Sequence, residues 1–180
     1  MAQDRDVVAA QIGREPRSTV QVEGRCHLAV PVVIAVPPHL DDGTPFPTSF
    51  WLTCPLASRR IGRLEADGGV KAYEERIAND EVFAAQHDAA TTRYINNRNA
   101  LVDPAAAHPP VGGVGGTRLG VKCLHAHYAD HAAGNANPVG ADVANSIEPL
   151  DCAISCVIEV EGTVTRNPDW SEPHHAHRSS

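Results

Sequence analysis

The chain has 180 residues, 22 acidic against 15 basic side chains for a formal charge of −7, and 42% hydrophobic residues of which few are aromatic. That length suits one domain with a core of small side chains, and the acidic balance excludes a general attraction to nucleic acid or anionic lipid. Met1 to Arg14 lacks the apolar run of a secretory signal, and the longest apolar stretch, Leu28 to Val36, holds Pro31 and is too short to cross a bilayer. A cytoplasmic protein without membrane insertion is expected. The five cysteines, Cys26, Cys54, Cys123, Cys152 and Cys156, are odd in number and argue against a disulfide framework.

In chain order, Asp6 to Gly13 reads as a short helix stopped by its glycine. His27 to Val36 is rich in β-branched residues and predicts a strand, with Pro31 implying an edge or a bulge. Pro37 to Pro47 is a turn-rich loop, and Thr48 to Thr53 predicts a second strand. Cys54-Pro55 opens a helix, since proline has no N–H to leave unpaired in a first turn. That helix carries Arg59, Arg60 and Arg63 on a solvated face and ends near Gly68-Gly69.

Val70 to Leu101 predicts one long helix. Tyr73, Ile77, Ala84, His87, Thr91, Tyr94, Arg98 and Leu101 share its stripe, and the polar half of that stripe, with His87, Tyr94 and Arg98, reads as surface. After a Pro, Ala and Gly loop, a helix is expected from about Thr117 to Ala133, then a short helix over Ala141 to Ile147. Cys152 to Val160 reads as a closing strand, with Cys152 and Cys156 packing. The fold class is α+β: a single compact domain over 1–164, a small, mostly antiparallel sheet packed by several helices. Residues 165–180 are expected to be a disordered tail, with His174, His175 and His177 solvated.

Gly112 to His131 (GGVGGTRLGVKCLHAHYADH) concentrates the side chains that can do chemistry. Glycines allow close backbone approach, and the first N–H groups of a following helix would attract an anion. Gly113, Gly115, Gly116, Arg118 and Lys122 are therefore candidate ligands for a small anionic molecule. Neither nucleotide-binding glycine fingerprint is present. The competing reading is a loop that lets a helix pack closely.

Cys123, His127 and His131 fall on one helical stripe, and their ligand types suit a transition metal, most naturally zinc. Cys123 with His127, or His127 with His131, would supply two ligands, because the outer pair stands two turns apart. Cys54 is the first candidate for a further ligand, and Cys26 or His87 the second. His125 points off the stripe and is a candidate catalytic group. The competing reading makes these histidines hydrogen-bonded core residues and Cys123 an inert thiol.

The stretches DGTPFPTSFWLTCP (Asp41 to Pro55), IGRLEADGG (Ile61 to Gly69) and GVGGTRLGVKCLHAHYADHAAGNANPVG (Gly113 to Gly140) resemble the bacterial "domain of unknown function 501" family. The resemblance runs over roughly Asp6 to Val160. It implies an actinobacterial source and genes nearby for a septum-formation initiator, enolase and an exopolyphosphatase-like phosphatase. It implies no activity, but it adds weight to Cys54, Cys123, His125 and His127, which lie inside the shared motifs. Two functions are expected to compete. One is a zinc site beside an anion-binding loop, acting on a phosphorylated small molecule. The other is a non-enzymatic interaction protein linked to cell division or envelope growth.

Overall fold

The computed structural model describes residues 3–173. Helix α1 (Asp4–Ile12) leads into β1 (Gln21–Arg25), β2 (Pro31–Ala35) and β3 (Phe50–Leu52). The three strands form an antiparallel sheet in that spatial order. β2 is its middle strand, so Pro31 does not mark an edge. Pro31 is the first residue of the strand and lies where the β1–β2 register shifts, so its missing N–H breaks no regular ladder. β1 was not expected from sequence. Gln21, Glu23 and Arg25 are exposed and alternate with half-buried Val22 and Gly24, which gives no apolar run to read.

Cys54 is the N-cap of α2 (Pro55–Ala66), with proline in the first turn as the sequence predicts. The long helix expected over Val70 to Leu101 is two helices, α3 (Gly69–Asn79) and α4 (Glu81–Asn99). Asp80 separates them: its backbone is extended, and its carboxylate accepts the Phe83 N–H at 3.0 Å as an N-cap. The polar stripe of α4 is also buried rather than exposed. Tyr94 Oη accepts the Ser49 N–H at 2.6 Å, and Arg98 donates to the Gly112 carbonyl at 2.6 Å and to the Pro47 carbonyl at 3.3 Å. The stripe thus faces loops whose carbonyls and amides need partners.

Helices α5 (Leu124–Ala132) and α6 (Pro138–Ile147) complete the main core with α2. Leu56, Ile61, Leu124, Tyr128, Val143 and Ile147 are almost fully buried there. Gly140 makes the α5–α6 contact possible, because a side chain there would collide with the His127 carbonyl. Val8 of α1 packs against Ile34 and Val36, covering the sheet's other side. Arg60 is buried, not solvated. Its guanidinium donates to the Ile147 and Pro149 carbonyls at the end of α6 and pairs with Asp151.

The closing strand is shorter than expected. β4 (Val157–Val160) pairs with β5 (Thr163–Arg166) in a separate hairpin that packs on α1, and Cys152 and Cys156 precede it in a loop. Arg166 donates to the Ala10 and Gln11 carbonyls at the end of α1. The described fold therefore runs past residue 164. Trp170 donates to Cys152 Sγ, and Glu172 pairs with Arg63. His174, His175 and His177 lie outside the described residues. The chain is an α+β protein of six helices and two small antiparallel sheets among the described residues, and none of those helices is long and apolar enough to cross a membrane.

Candidate metal centre

The helix expected from Thr117 begins at Leu124 instead, with Cys123 as its N-cap. Val114–Gly116 forms a single 3-10 turn, and Gly112, Gly115 and Gly116 hold left-handed backbone. A side chain on Gly116 would also press on the Pro47 ring. The glycine loop therefore does not run into a helix start. It is clamped against α4 through Arg98, and seven residues, 117–123, separate it from α5. Two of the N–H groups that an anion could seek are met from within the protein: Glu65 Oε1 accepts the Leu124 N–H at 2.6 Å, and the Glu74 carboxylate accepts the Val121 N–H. Arg118 and Lys122 remain exposed on this loop.

The Glu65 carboxylate brings together a different ligand set from the expected one. Glu65 on α2, Cys123 at the N-cap of α5 and His125 on α5 place one ligand atom each within 4.8 Å of one another. Glu65 Oε1 lies 3.2 Å from His125 Nδ1, and Cys123 Sγ lies 3.7 Å from the same nitrogen. The other ring nitrogen, Nε2, lies 3.1 Å from the Ser58 carbonyl, which can only accept, so Nε2 carries a proton. All three side chains are half-buried. Burial works against a charge on His125. The Cys123 sulfur, the Glu65 carboxylate and the Ser58 carbonyl outweigh it and hold the imidazole up at about 9.

The other expected ligands sit elsewhere. His127 faces the interior, where its Nδ1 lies 3.1 Å from Asn137 Oδ1. Asn137 donates through Nδ2 to Asp130, and Arg93 grips that fully buried carboxylate with two nitrogens. Asn137 Oδ1 accepts, so His127 carries its proton on Nδ1 and its buried Nε2 has no partner. The His87 ring is 5.7 Å away, centroid to centroid. Burial is the main reason that His127 is held down at about 4. His131 is half-buried on the last turn of α5. Cys54 lines a separate cavity with Cys26, Cys152 and Cys156.

Glu65 could not be found from spacing, because it is 58 residues from Cys123 and lies in IGRLEADGG, a motif with no metal-site pattern. A cleft of about 500 Å³ was also illegible. It is lined by Arg14, Arg59 and Arg166 and by both tryptophans, Trp51 and Trp170. Arg14 lies over the Trp51 ring and Arg59 over Trp170. Ser58, whose carbonyl holds His125, lines this cleft too.

A family model described as "Protein of unknown function (DUF501)" matches residues 22–145. No curated protein and no solved structure gives a match.

Proposed function

We propose that the chain, which belongs to the DUF501 family, is a metal-binding protein that holds one zinc ion through Glu65, Cys123 and His125 and uses it on a small anionic, phosphorylated ligand. The observation that carries this reading is the Ser58 carbonyl on His125 Nε2. That bond directs the Nδ1 lone pair of a neutral imidazole toward the Cys123 sulfur and the Glu65 carboxylate, as second-sphere acceptors do for ligating histidines. Three ligands of these types leave one tetrahedral position open, the pattern of sites where zinc polarises a bound oxygen.

A cysteine nucleophile activated by His125 fits less well. In a triad the third residue orients the ring through the nitrogen that does not face the nucleophile. Here the Ser58 carbonyl on Nε2 would orient the ring for either role, but Glu65 shares Nδ1 with Cys123 and competes with the thiol for that nitrogen. The shared point suits a cation or a proton better than a relay.

The anionic ligand class is supported by positive charge on both sides. Arg118 and Lys122 are exposed on the loop that ends at Cys123, and Arg14 and Arg59 line the cleft that Ser58 shares. Metal-dependent hydrolysis or transfer of a phosphoryl-bearing small molecule is the reaction class these groups fit. Phosphate binding measured by calorimetry on zinc-loaded protein tests it. Arg118→Ala should weaken binding if the loop holds the anion, and Arg59→Ala if the cleft does. Binding unchanged in both, or none in wild type, overturns the anionic-ligand reading.

A further inference from the structure

The chain has two tryptophans, and both line the cleft of about 500 Å³, although they come from distant parts of the sequence. Trp51 lies in β3, and Trp170 follows β5. Leu52 and Pro55 extend the apolar wall, and Arg14, Arg59 and Arg166 add positive charge. We propose that this cleft binds a phosphorylated aromatic molecule of nucleotide size, its ring system along the tryptophan wall and its phosphate among the arginines. This rests on the anionic-ligand reading above but not on the ion at Glu65, Cys123 and His125. It places that ligand in the cleft rather than on the glycine loop, and it gives the ligand an aromatic body.

The three guanidiniums are held in place by groups other than carboxylates. Arg14 lies over the Trp51 ring, 5.3 Å from its centroid, and Arg59 lies over Trp170 at 4.9 Å. Arg166 is fixed by the Ala10 and Gln11 carbonyls. Among the described residues, none of the three is in an ion pair. Glu172, whose charge acts on Arg59, is engaged by Arg63 and Arg60. A chain of formal charge −7 thus gathers three cations without ion-pair partners at one concave site. A guanidinium laid flat on an indole keeps its N–H edge free, and that edge matches the oxygens of a phosphate.

The lining also selects an aromatic body. A volume of about 500 Å³ lies in the range of small-molecule sites and exceeds what inorganic phosphate fills. Both indoles are half-buried, and Phe46 stacks on Trp51 with 5.6 Å between centroids and steadies that ring. Nucleobases stack on aromatic rings and on guanidinium planes alike, so Trp51 with Arg14 and Trp170 with Arg59 form two such platforms. Gln11, almost wholly buried, lines the cleft as well. Its Nε2 donates to the Pro31 carbonyl at 2.8 Å, which fixes the amide, and its Oε1 has no donor. That oxygen would accept from a ring N–H or an amino group. The competing loop, residues 112–123 with Arg118 and Lys122, contains no aromatic side chain.

Both tryptophans line the cleft, so intrinsic tryptophan fluorescence reports on this cleft alone. Untagged full chain, stripped of metal by a chelator, is titrated with the 5′-monophosphates of adenosine, guanosine and uridine. Adenosine, ribose 5-phosphate and inorganic phosphate serve as partial ligands. The expected result is a saturable change in emission with at least one nucleotide, which binds about tenfold or more tighter than any partial ligand. Calorimetry then gives the affinities of Arg14→Ala and Arg59→Ala, because losing a guanidinium also alters the emission itself. Both side chains are exposed, and circular dichroism checks that the variants fold. Each should weaken nucleotide binding by about tenfold. Cys123→Ala, which removes a proposed metal ligand, should bind as wild type does. No nucleotide binding, binding unchanged in both folded arginine variants, or binding lost in folded Cys123→Ala overturns the cleft site. Ribose 5-phosphate or phosphate bound as tightly as the nucleotides overturns the aromatic ligand and leaves a plain anion site. Phosphate binding to zinc-loaded protein that falls only in Arg118→Ala, with no nucleotide bound, overturns this inference while the anionic-ligand reading stands.

Discussion

His125 Nδ1 lies 3.2 Å from Glu65 Oε1, the same oxygen that accepts the Leu124 N–H at the start of α5. One carboxylate from α2 therefore sets both the beginning of α5 and the charge facing its histidine. A glutamate at this point cancels the partial positive charge of the helix start and leaves its outer lone pairs toward Nδ1 and the Cys123 sulfur. In the metal-free protein a proton occupies that space, since His125 stays charged up to about pH 9.

The first prediction follows from competition between that proton and the metal. Zinc binding at Glu65, Cys123 and His125 must displace a proton from His125, so affinity rises with pH through neutrality, by about tenfold per pH unit for each proton displaced. Titration with a competing chelator at pH 6.5 and 7.5 measures it. A pH-independent affinity would mean that His125 is not a ligand.

The second prediction concerns the metal-free protein. Folding raises His125 from 6.5 to about 9, so the folded state binds the proton more tightly than the unfolded one. Its stabilising contribution is full below pH 6.5 and is lost as pH rises through 9. The difference in urea midpoint between apo wild type and His125→Gln should shrink over that window.

His127 behaves in the opposite sense. Folding lowers it from 6.5 to about 4, so the unfolded state binds the proton more tightly. Its neutral burial is fully favourable above pH 6.5, and stability is lost as pH falls from 6.5 to 4, by a few kcal/mol at the lower end. His127→Gln should flatten that acid limb, as followed by urea unfolding at pH 4.5 and 7. An unchanged limb would place the acid sensitivity elsewhere.

A fourth prediction tests the network that supports His127. Arg93→Ala leaves the fully buried Asp130 carboxylate without its cation, which costs about 3–5 kcal/mol. Arg93→Ala combined with Asp130→Asn should recover part of that loss, because no uncompensated charge then remains. Chemical denaturation of both variants decides it.

The helix behind Cys54 was legible because Pro55 and the Gly68-Gly69 stop act locally, within one turn of the element that they bound. The start of α5 was not. Thr117 to Lys122 contains nothing that forbids a helix except Gly120, whose left-handed backbone lets the Glu74 carboxylate approach. The break at Asp80 was readable as an N-cap three residues before Phe83, but the apolar stripe ran across it and prevailed. Cys123 was legible as a metal-capable residue because of its type, whereas His125 was expected as a catalytic group, because a helix running from Thr117 would turn it away from the Cys123 stripe. Their partner Glu65 was not legible, since α2 and α5 meet only through tertiary packing. The meeting of Cys26, Cys54, Cys152 and Cys156 at one cavity was equally illegible, because 27, 97 and 3 residues intervene between them.

The central claim is the ion at Glu65, Cys123 and His125, and metal analysis of purified, untagged protein tests it most directly. Wild type, Glu65→Gln, Cys123→Ala and His125→Ala should be compared under identical purification, with Cys26→Ser as the reference for the separate cysteine cavity. The account predicts that Cys123→Ala and His125→Ala each lose about one zinc ion per chain relative to wild type. Glu65→Gln should bind that ion more weakly, and Cys26→Ser should retain it. Wild type without zinc, or Cys123→Ala and His125→Ala with the full wild-type content, would contradict it.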